Sequence, residues 1–306
     1  MEPPIVSVIC ISYNHEAFVY KALSSLRNQH YHHVEVIVID DCSTDQTQKE
    51  IQRFIEDHPN MNWSVIFNTT NQGNCKTFNT ALALAKGKYV MDFAADDLFY
   101  NQCVEKLVHR FEQLADNYGV VFSNVDLVDV KDNFIAKHYK TYPSGKAIQK
   151  VPKGEVYRKI VKRYFISPVG MMVKRSVLLE LGGYDESLAY EDFDLWVRSS
   201  RLYHYAYLDE CLVAKRVTPH SLSTRFIRKG NDRMFESTAR VCQKIAWLNR
   251  TTLEDNALVH RITYEIRQSI RYKAHGASAI YLKLMKQLHV NPLKRFMYKI
   301  LVLVVR

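Results

Sequence analysis

Residues 86–100 read KGKYVMDFAADDLFY. The apolar run Tyr89-Val90-Met91 leads to two adjacent carboxylates, Asp96 and Asp97. A strand over Tyr89–Phe93 delivers both acids near its end, where they repel each other and call for positive charge. Two runs upstream have the same form: Ile5–Ile11 leads to Ser12-Tyr13-Asn14, and Val34–Ile39 leads to Asp40-Asp41. Helix-like periodicity fills the intervals, over Glu16–Asn28 and then to about Asp57, where Ser43 and Gln46 have the spacing of a capping box. Trp63–Phe67 reads as a strand, Thr77–Ala85 and Cys103–Leu114 as helices, and Val120–Val128 as a strand. Strands alternating with helices predict a parallel α/β sheet. Near-continuous apolar strands predict that both its faces are covered. Ligands of such sheets bind beyond the carboxyl ends of the strands. Ser12-Tyr13-Asn14, Asp40-Asp41 and Asp96-Asp97 are therefore expected on one rim.

Residues 131–167 are polar and basic, with Pro143, Gly145, Pro152 and Gly154, and read as loops around a short helix near 155–163. Val169–Val173 is strand-like, a short helix ends at Gly182-Gly183, and a helix spans Glu191–Arg201. Tyr205–Leu208 and Leu212–Val217 read as two strands. After Arg225 the pattern is helical, with a break at Asn291-Pro292.

The net charge of +10 is unevenly spread. Residues 1–224 hold 25 Lys+Arg against 27 Asp+Glu, whereas residues 225–306 hold 17 against 5. A separate basic C-terminal region with an anionic partner follows from that split. The partner classes are a membrane surface, a nucleic acid or a phosphorylated substrate. The six cysteines show no metal-ligand spacing, and Cys10 sits in an apolar run as a reduced thiol would, which indicates a reducing compartment. Glu2-Pro3-Pro4 does not read as a signal peptide. No apolar run reaches the ~18–20 residues that span a bilayer.

A pair such as Asp96-Asp97 is ordinarily a solvated turn or a helix cap. Here it shares a predicted rim with Asp40-Asp41. Clustered carboxylates suit a hard divalent cation, which takes oxygen ligands and commonly keeps waters and a phosphate. The chain has neither GxGxxG nor GxxxxGK[ST]. A diphosphate is therefore expected to be held chiefly through the metal.

Four segments in this order resemble the inverting GT-A glycosyltransferases of family 2, which use nucleotide-sugar donors. They are PIVSVICISYNHEAFVYKALSSLRNQ, VEVIVIDDCSTDQT, NQGNCKTFNTALALAKGKYV with AADDLFY, and SPVGMMVKRSVLLELGGYDESLAYEDFDLWVRSS, fading near KRVTPHSLST. The resemblance covers roughly residues 4–224. It implies a Rossmann-like nucleotide-binding, mostly parallel sheet flanked by helices, with 1–100 as the nucleotide-binding half and 101–224 as the acceptor half. Residues 225–306 are the basic helical appendage.

The resemblance also implies roles. Tyr13 would stack on the nucleobase, with Ser12 and Asn14 shaping the pocket. Asp41, beside Asp40, would accept hydrogen bonds from the base, and Asn71 and Gly73 would form a turn over the nucleotide. Asp96 would contact ribose or diphosphate. Asp97 would ligate Mn²⁺ or Mg²⁺, with His220 approaching the metal. Asp192 of the Glu191-Asp192 pair would be the general base, and Glu191 an acceptor contact or its support. Two positions depart from the family's common form: Ala94 stands where an acid often begins the metal motif, and Phe78 where a helix often carries Arg. Acids in a first helical turn also complement the helix dipole without any catalytic role, and Asp194 is read as structural on that ground.

The sequence thus reads as a cytoplasmic, metal-dependent inverting enzyme, peripheral on the inner face of the membrane. It would move a hexosyl or N-acetylhexosaminyl group from a nucleotide-diphosphate sugar, a UDP-sugar first, to a glycan or lipid-linked acceptor in surface polysaccharide assembly. Basic side chains interleaved with aromatics after residue 225 fit either an amphipathic helix on an anionic membrane or a helical bundle with a solvated basic face. A catalytically dead nucleotide-sugar binder is one rival. A nucleotidyltransferase on a similar α/β sheet is another, but it would need a glycine-rich loop with a basic residue after the first strand, where this chain has SYNHEAF. A nucleic-acid-binding protein is the third, and no nucleic-acid partner is expected, because that reading leaves the ordered acids of the first 200 residues unexplained.

Overall fold

The apolar runs around the acid pairs form strands in parallel register. β1 (Val6–Ser12) pairs along its whole length with β2 (Val34–Asp40), ending at Ser12 opposite Asp40. On its other side β1 pairs with β4 (Tyr89–Ala94), with Ile11 opposite Ala94. β3 (Ser64–Phe67) extends the parallel set beyond β2. In this computed structural model, residues 2–218 and 232–304 are described.

The chain divides into two compact units. The first comprises Met1–Glu155, Ile166–Glu186 and Tyr203–Val217. Its sheet runs β3-β2-β1-β4-β8-β6-β9-β5, with β7 paired to β6. The added strands are β5 (Leu98–Phe99), β6 (Tyr118–Val128), β7 (Phe134–Lys137), β8 (Met171–Lys174) and β9 (His204–Arg216). Beyond β4 the sheet is mixed: β4–β8, β6–β8, β6–β7 and β5–β9 are antiparallel, while β6–β9 is parallel. One strand expectation changes here. The two strands read at 205–208 and 212–217 are one strand, β9, whose register against β6 shifts at Ser123/Asn124 and Asn124/Val125. A bulge interrupts the alternation that sequence reading relies on. β5 and β7 were too short or too exposed to show any pattern.

Side chains alternate across the sheet. Val6, Val8 and Cys10 of β1 join one core with Leu23 of α1 (Val19–Arg27), Phe54 of α2 (Thr47–Asp57) and Leu107 of α4 (Cys103–Glu112). The odd residues Ile9 and Ile11 are buried too, on the side where α3 (Asn74–Leu84) meets β1. Covering both faces is what keeps the strands apolar throughout. None of the six cysteines is in a disulfide, and burial pushes the Cys10 thiol up.

The capping box expected from Ser43 and Gln46 is not formed. α2 starts at Thr47, whose N–H and hydroxyl both donate to Asp45 Oδ1. Ser43 is used on the rim instead.

After β8, α6 (Arg175–Glu180) ends at Gly182 and Gly183, with φ of +73° and +75°. A Cβ on Gly183 would lie 2.3 Å from Asn79 Oδ1. That space is needed, because Asn79 clasps the Tyr184 backbone, accepting from its N–H at 2.8 Å and donating to its carbonyl at 2.9 Å. Gly183→Ala is expected to cost about 2–4 kcal/mol, from left-handed strain plus overpacking. Thermal unfolding should show a lower Tm than for Gly182→Ala, since a Cβ at Gly182 meets nothing within 4 Å.

The second unit comprises Val156–Phe165, Ser187–Leu202 and Thr218–Arg306. Its described helices are α5 (Tyr157–Lys162), α7 (Asp192–Leu202), α8 (Asp232–Leu248), α9 (Thr252–Arg271), α10 (His275–Gln287) and α11 (Pro292–Val304). Thr251 and Glu254 form a complete capping box at α9. The break read at Asn291-Pro292 is the start of α11, where Asn291 Oδ1 accepts from Leu293 N–H. α8, α9 and α10 bury Val241, Ile245, Leu258, Ile262, Tyr281 and Met285 within this unit.

Candidate active site

The carboxyl ends of β1, β2 and β4 lie side by side, so the residues read onto one rim do share it. Ser12 donates to Asp40 Oδ1 at 2.9 Å. Asp40 also accepts from Ser43 N–H and hydroxyl and from Gln48 Nε2. Four donors on a fully buried carboxylate make Asp40 the clamp between β1 and the loop after β2.

The two loops are laced further. Asn14, at φ +57°, donates its N–H to Ser43 Oγ and accepts from Thr44 N–H on Oδ1. Asparagine tolerates that left-handed backbone better than most residues. His15 N–H donates to Thr47 Oγ1, and Glu16 and Gln46 close the lattice through Glu16 Oε2. Tyr13 stands on this rigid edge with its ring partly open to solvent.

Asp41 is also buried, and it organises a different loop. It accepts from Asn68 Nδ2 at 2.9 Å and from the N–H groups of Gln72 and Gly73 at 2.8 Å each. Gly73, at φ +83°, opens α3. Asn71 is exposed within that turn.

The acid pair follows β4. Asp97 is 2% exposed. Burial, and then the charge of Asp96, push its carboxyl well above the usual carboxylate range, against the pull of Lys215 and Arg216. Its Oδ1 accepts the Arg216 N–H at 2.8 Å. The Arg216 guanidinium, itself buried, donates to the Asp96 carbonyl and to Asp132, and lies 4.5 Å from the centre of the Phe18 ring. Lys21 pairs with the other oxygen of Asp132. Against the cost of its partial burial, Lys21 and Arg216 hold the Asp132 carboxyl below its ordinary value. Positive charge therefore does answer the acid pair, but most of it is spent on Asp132 and on a carbonyl. His15 Nε2 stands 3.9 Å from Asp96 Oδ2, and its buried Nδ1 has no partner among the described residues.

Among the described residues no three His, Cys, Asp or Glu side chains are grouped as a metal cage. The acid pair still fits a hard divalent cation. Two adjacent carboxylates, one buried and disfavoured as an anion, are the oxygen donors such an ion takes, and magnesium-like sites often have only one or two protein carboxylates and complete their shell with phosphate and water. His220 lies outside the described residues.

In the second unit, Glu191 and Asp192 sit at the N-terminus of α7, where Leu195 N–H donates to the Glu191 carbonyl. Glu191 is buried, and its Oε2 has no partner among the described residues. Asp192 is half-buried in the first turn. Asp194 is buried between Arg198 Nε and Lys244 Nζ, each at 2.6 Å, which is a structural ion cluster.

The sequence profile described as glycosyl transferase family 2 matches residues 7–182, more than half of the chain. The chain belongs to glycosyl transferase family 2. Among its curated relatives, an uncharacterized glycosyltransferase of Haemophilus influenzae is 28% identical over 243 residues, covering 75% of this chain and 70% of its own length. One of Methanocaldococcus jannaschii is 28% identical over 224 residues, covering 71% and 72%. Among solved structures, S. aureus TarS 1–349 in complex with UDP-GlcNAc aligns at a TM-score of 0.67 and 18% identity, over 93% of this chain and 80% of that one. The mannosyltransferase PcManGT from Pyrobaculum calidifontis, in complex with GDP-Man and Mn²⁺, aligns at 0.61 and 18%, over 99% and 87%. The fold of this family 2 glycosyltransferase is thus GT-A, as its sequence motifs imply.

One of its two departures from the common motifs, Phe78, has a local reason. Phe78 is buried and stacks on Tyr184 at 4.0 Å, so the position is used for packing. Tyr184 in turn donates to Asp92 at 2.9 Å, on β4. From sequence, Lys215 and Arg216 read equally as cations for a leaving diphosphate or as a solvated strand end, and not as partners of Asp132. The signal available was a basic residue closing the apolar run Leu212-Val213-Ala214, which also suits a solvated strand end. Asp132 and Lys21 gave no signal, since each is an ordinary surface residue in sequence.

Proposed function

We propose that this family 2 glycosyltransferase is a metal-dependent inverting enzyme that takes a nucleotide-diphosphate sugar, a UDP-sugar first, and passes its hexosyl or N-acetylhexosaminyl group to a glycan or lipid-linked acceptor in surface polysaccharide assembly. The observation that carries the reading is the Asp96-Asp97 pair, its second acid buried and repelled by the first, on the same rim as the laced loops of Ser12–Asn14 and Asp40-Asp41. TarS bound to UDP-GlcNAc and PcManGT bound to GDP-Man and Mn²⁺ support the donor class and the metal.

In this reading Tyr13 stacks on the base, held by the Asn14 brace, with Ser12 shaping the floor. Asp41, kept in place with Asp40, accepts from the base, and Asn71 and Gly73 line the turn over the nucleotide. Asp96 contacts ribose or diphosphate. Asp97, with His220, holds Mn²⁺ or Mg²⁺, which when bound neutralises the leaving diphosphate. Asp192 takes the proton of the acceptor hydroxyl as that oxygen bonds to the anomeric carbon. The bond from that carbon to the diphosphate oxygen breaks, and its electron pair leaves with the nucleoside diphosphate. The partnerless oxygen of Glu191 gives an acceptor hydroxyl a group to donate to. The catalytic region runs to residue 224. The basic appendage at 225–306 brings the enzyme to the cytoplasmic face of the membrane. No helix among the described residues is long and apolar enough to cross it.

The test is a nucleotide-sugar panel with Mn²⁺, read as acceptor-dependent release of nucleoside diphosphate. Asp192→Asn should retain donor affinity while losing about 10²–10⁴-fold in transfer rate, the worth of a positioned base. A transfer rate near wild type would refute the base assignment. Donor binding without transfer or hydrolysis across the whole panel would favour the inactive binder.

A further inference from the structure

α11 packs with its narrow side. Tyr298 and Val302, four residues apart, are buried at 2% and 5% exposure, and Arg267 of α9 donates to the Tyr298 hydroxyl at 3.2 Å. The other side is apolar and open. Leu293, Phe296, Met297, Ile300 and Leu301 follow the i, i+3, i+4, i+7, i+8 pattern of a single helix face. All five are exposed, Leu293 at 77% and Phe296 at 61%. With 3.6 residues per turn, Lys294 falls about 100° to one side of Leu293 and Lys299 about 120° to the other. Both lysines are exposed. α11 contains no acid, and none follows Glu265 in the chain.

We propose that this face of α11 is a bilayer-docking surface, lying in the plane of an anionic membrane with Leu293, Phe296 and Ile300 in the acyl boundary and Lys294 and Lys299 at the headgroups. An open apolar stripe flanked by lysines on a helix too short to span is the pattern of interfacial helices. Charge decides the occupant. Two copies of this face brought together symmetrically would set like charges against each other with no carboxylate on α11 to pair them. A membrane rich in anionic lipid supplies the opposite sign, worth about fivefold in partitioning for each basic side chain near the surface. The inference narrows the membrane reading of 225–306 to one helix, and it stands apart from the sugar-transfer reading.

The test is co-flotation of the full chain with vesicles of phosphatidylcholine alone or containing 30% phosphatidylglycerol, together with Phe296→Trp as a fluorescent reporter. Binding to the anionic vesicles is expected, with a blue shift of the added indole emission relative to wild type and its quenching by brominated acyl chains. Lys294→Ala with Lys299→Ala should weaken partitioning roughly 25-fold. Phe296→Ser with Ile300→Ser should abolish it, at unchanged Tm and unchanged nucleoside-diphosphate release from soluble donor. Absence of anionic-vesicle binding would overturn the proposal, as would binding that the Phe296/Ile300 variant retains. Concentration-dependent dimerisation lost in that variant, seen by sedimentation, would assign the face to a second copy instead.

Discussion

Asp97→Asn is expected to silence nucleoside-diphosphate release while leaving the apo fold as stable as the wild type, or more so. The two halves of this result have one cause. Asp97 is buried beside Asp96, and both desolvation and that neighbouring charge disfavour its anion. An asparagine keeps the Oδ1 acceptor for the Arg216 N–H and removes the repelled charge. The hydrogen bond is kept, and the lost attraction to Lys215 and Arg216 is smaller than the relief from desolvation and from the charge of Asp96. What is lost is the anionic oxygen for a cation, and with it several kcal/mol of charge stabilisation on the leaving group, about 10³-fold or more in rate. Melting curves separate this from simple damage. Mn²⁺ with UDP should raise the wild-type Tm, since a ligand at 100 times its Kd adds about 2.7 kcal/mol to the folded state. Asp97→Asn should show no such rise, and EDTA should remove it from the wild type. Release at the wild-type rate, or a melting shift that survives the substitution, would move the metal away from residue 97.

Such a pairing of lost activity with kept stability is common where a site holds unfavourable charges for use. It also bears on how much could be read beforehand. Strand ends carrying Ser12, Asp40 and Asp97 were legible because period and polarity change abruptly where a buried strand reaches solvent. The motifs then placed the family. What stayed hidden were partners far apart in sequence. Arg216 reaches the Asp96 carbonyl and Asp132 across more than 80 residues, and no local pattern encodes such a pairing. The role of Phe78 was hidden for the same reason, since its partner Tyr184 lies beyond several intervening strands. β9 was split in two because a bulge breaks alternation without any residue type that announces it. Ser43 was misread as a cap because a serine hydroxyl serves a carboxylate as readily as a helix N-terminus, and Asp40 lies closer to it in the fold.

Arg261→Met is expected to cost about 3–5 kcal/mol at neutral pH, the usual result of breaking a buried ion pair from one side. Arg261 is 2% exposed on α9. It pairs with Glu265 Oε1 at 3.1 Å and donates to the carbonyls of Val161 at 3.1 Å and Ile160 at 3.3 Å, near the end of α5. Its guanidinium also lies over the rings of Tyr164 at 4.0 Å and Phe193 at 4.9 Å. One cation thus joins α5, the start of α7 and α9, and methionine replaces only its packing. Glu265 would then be a buried anion with no cation. Burial already pushes its carboxyl up even with Arg261 opposing, so without Arg261 it rises further. A carboxyl raised in the fold favours the folded state while protonated, and that advantage fades as pH climbs from the unfolded value through the folded one. Arg261→Met should therefore lose more stability at pH 8 than at pH 5, relative to wild type. Adding Glu265→Leu should recover most of the loss and flatten the difference, because removing both members leaves no unpaired buried charge, only the two α5 carbonyls without their donor. Denaturant titrations of the three proteins at the two pH values provide the measurement. A deficit of the same size at both, undiminished in the double variant, would show that the guanidinium acts through the α5 carbonyls and the rings alone.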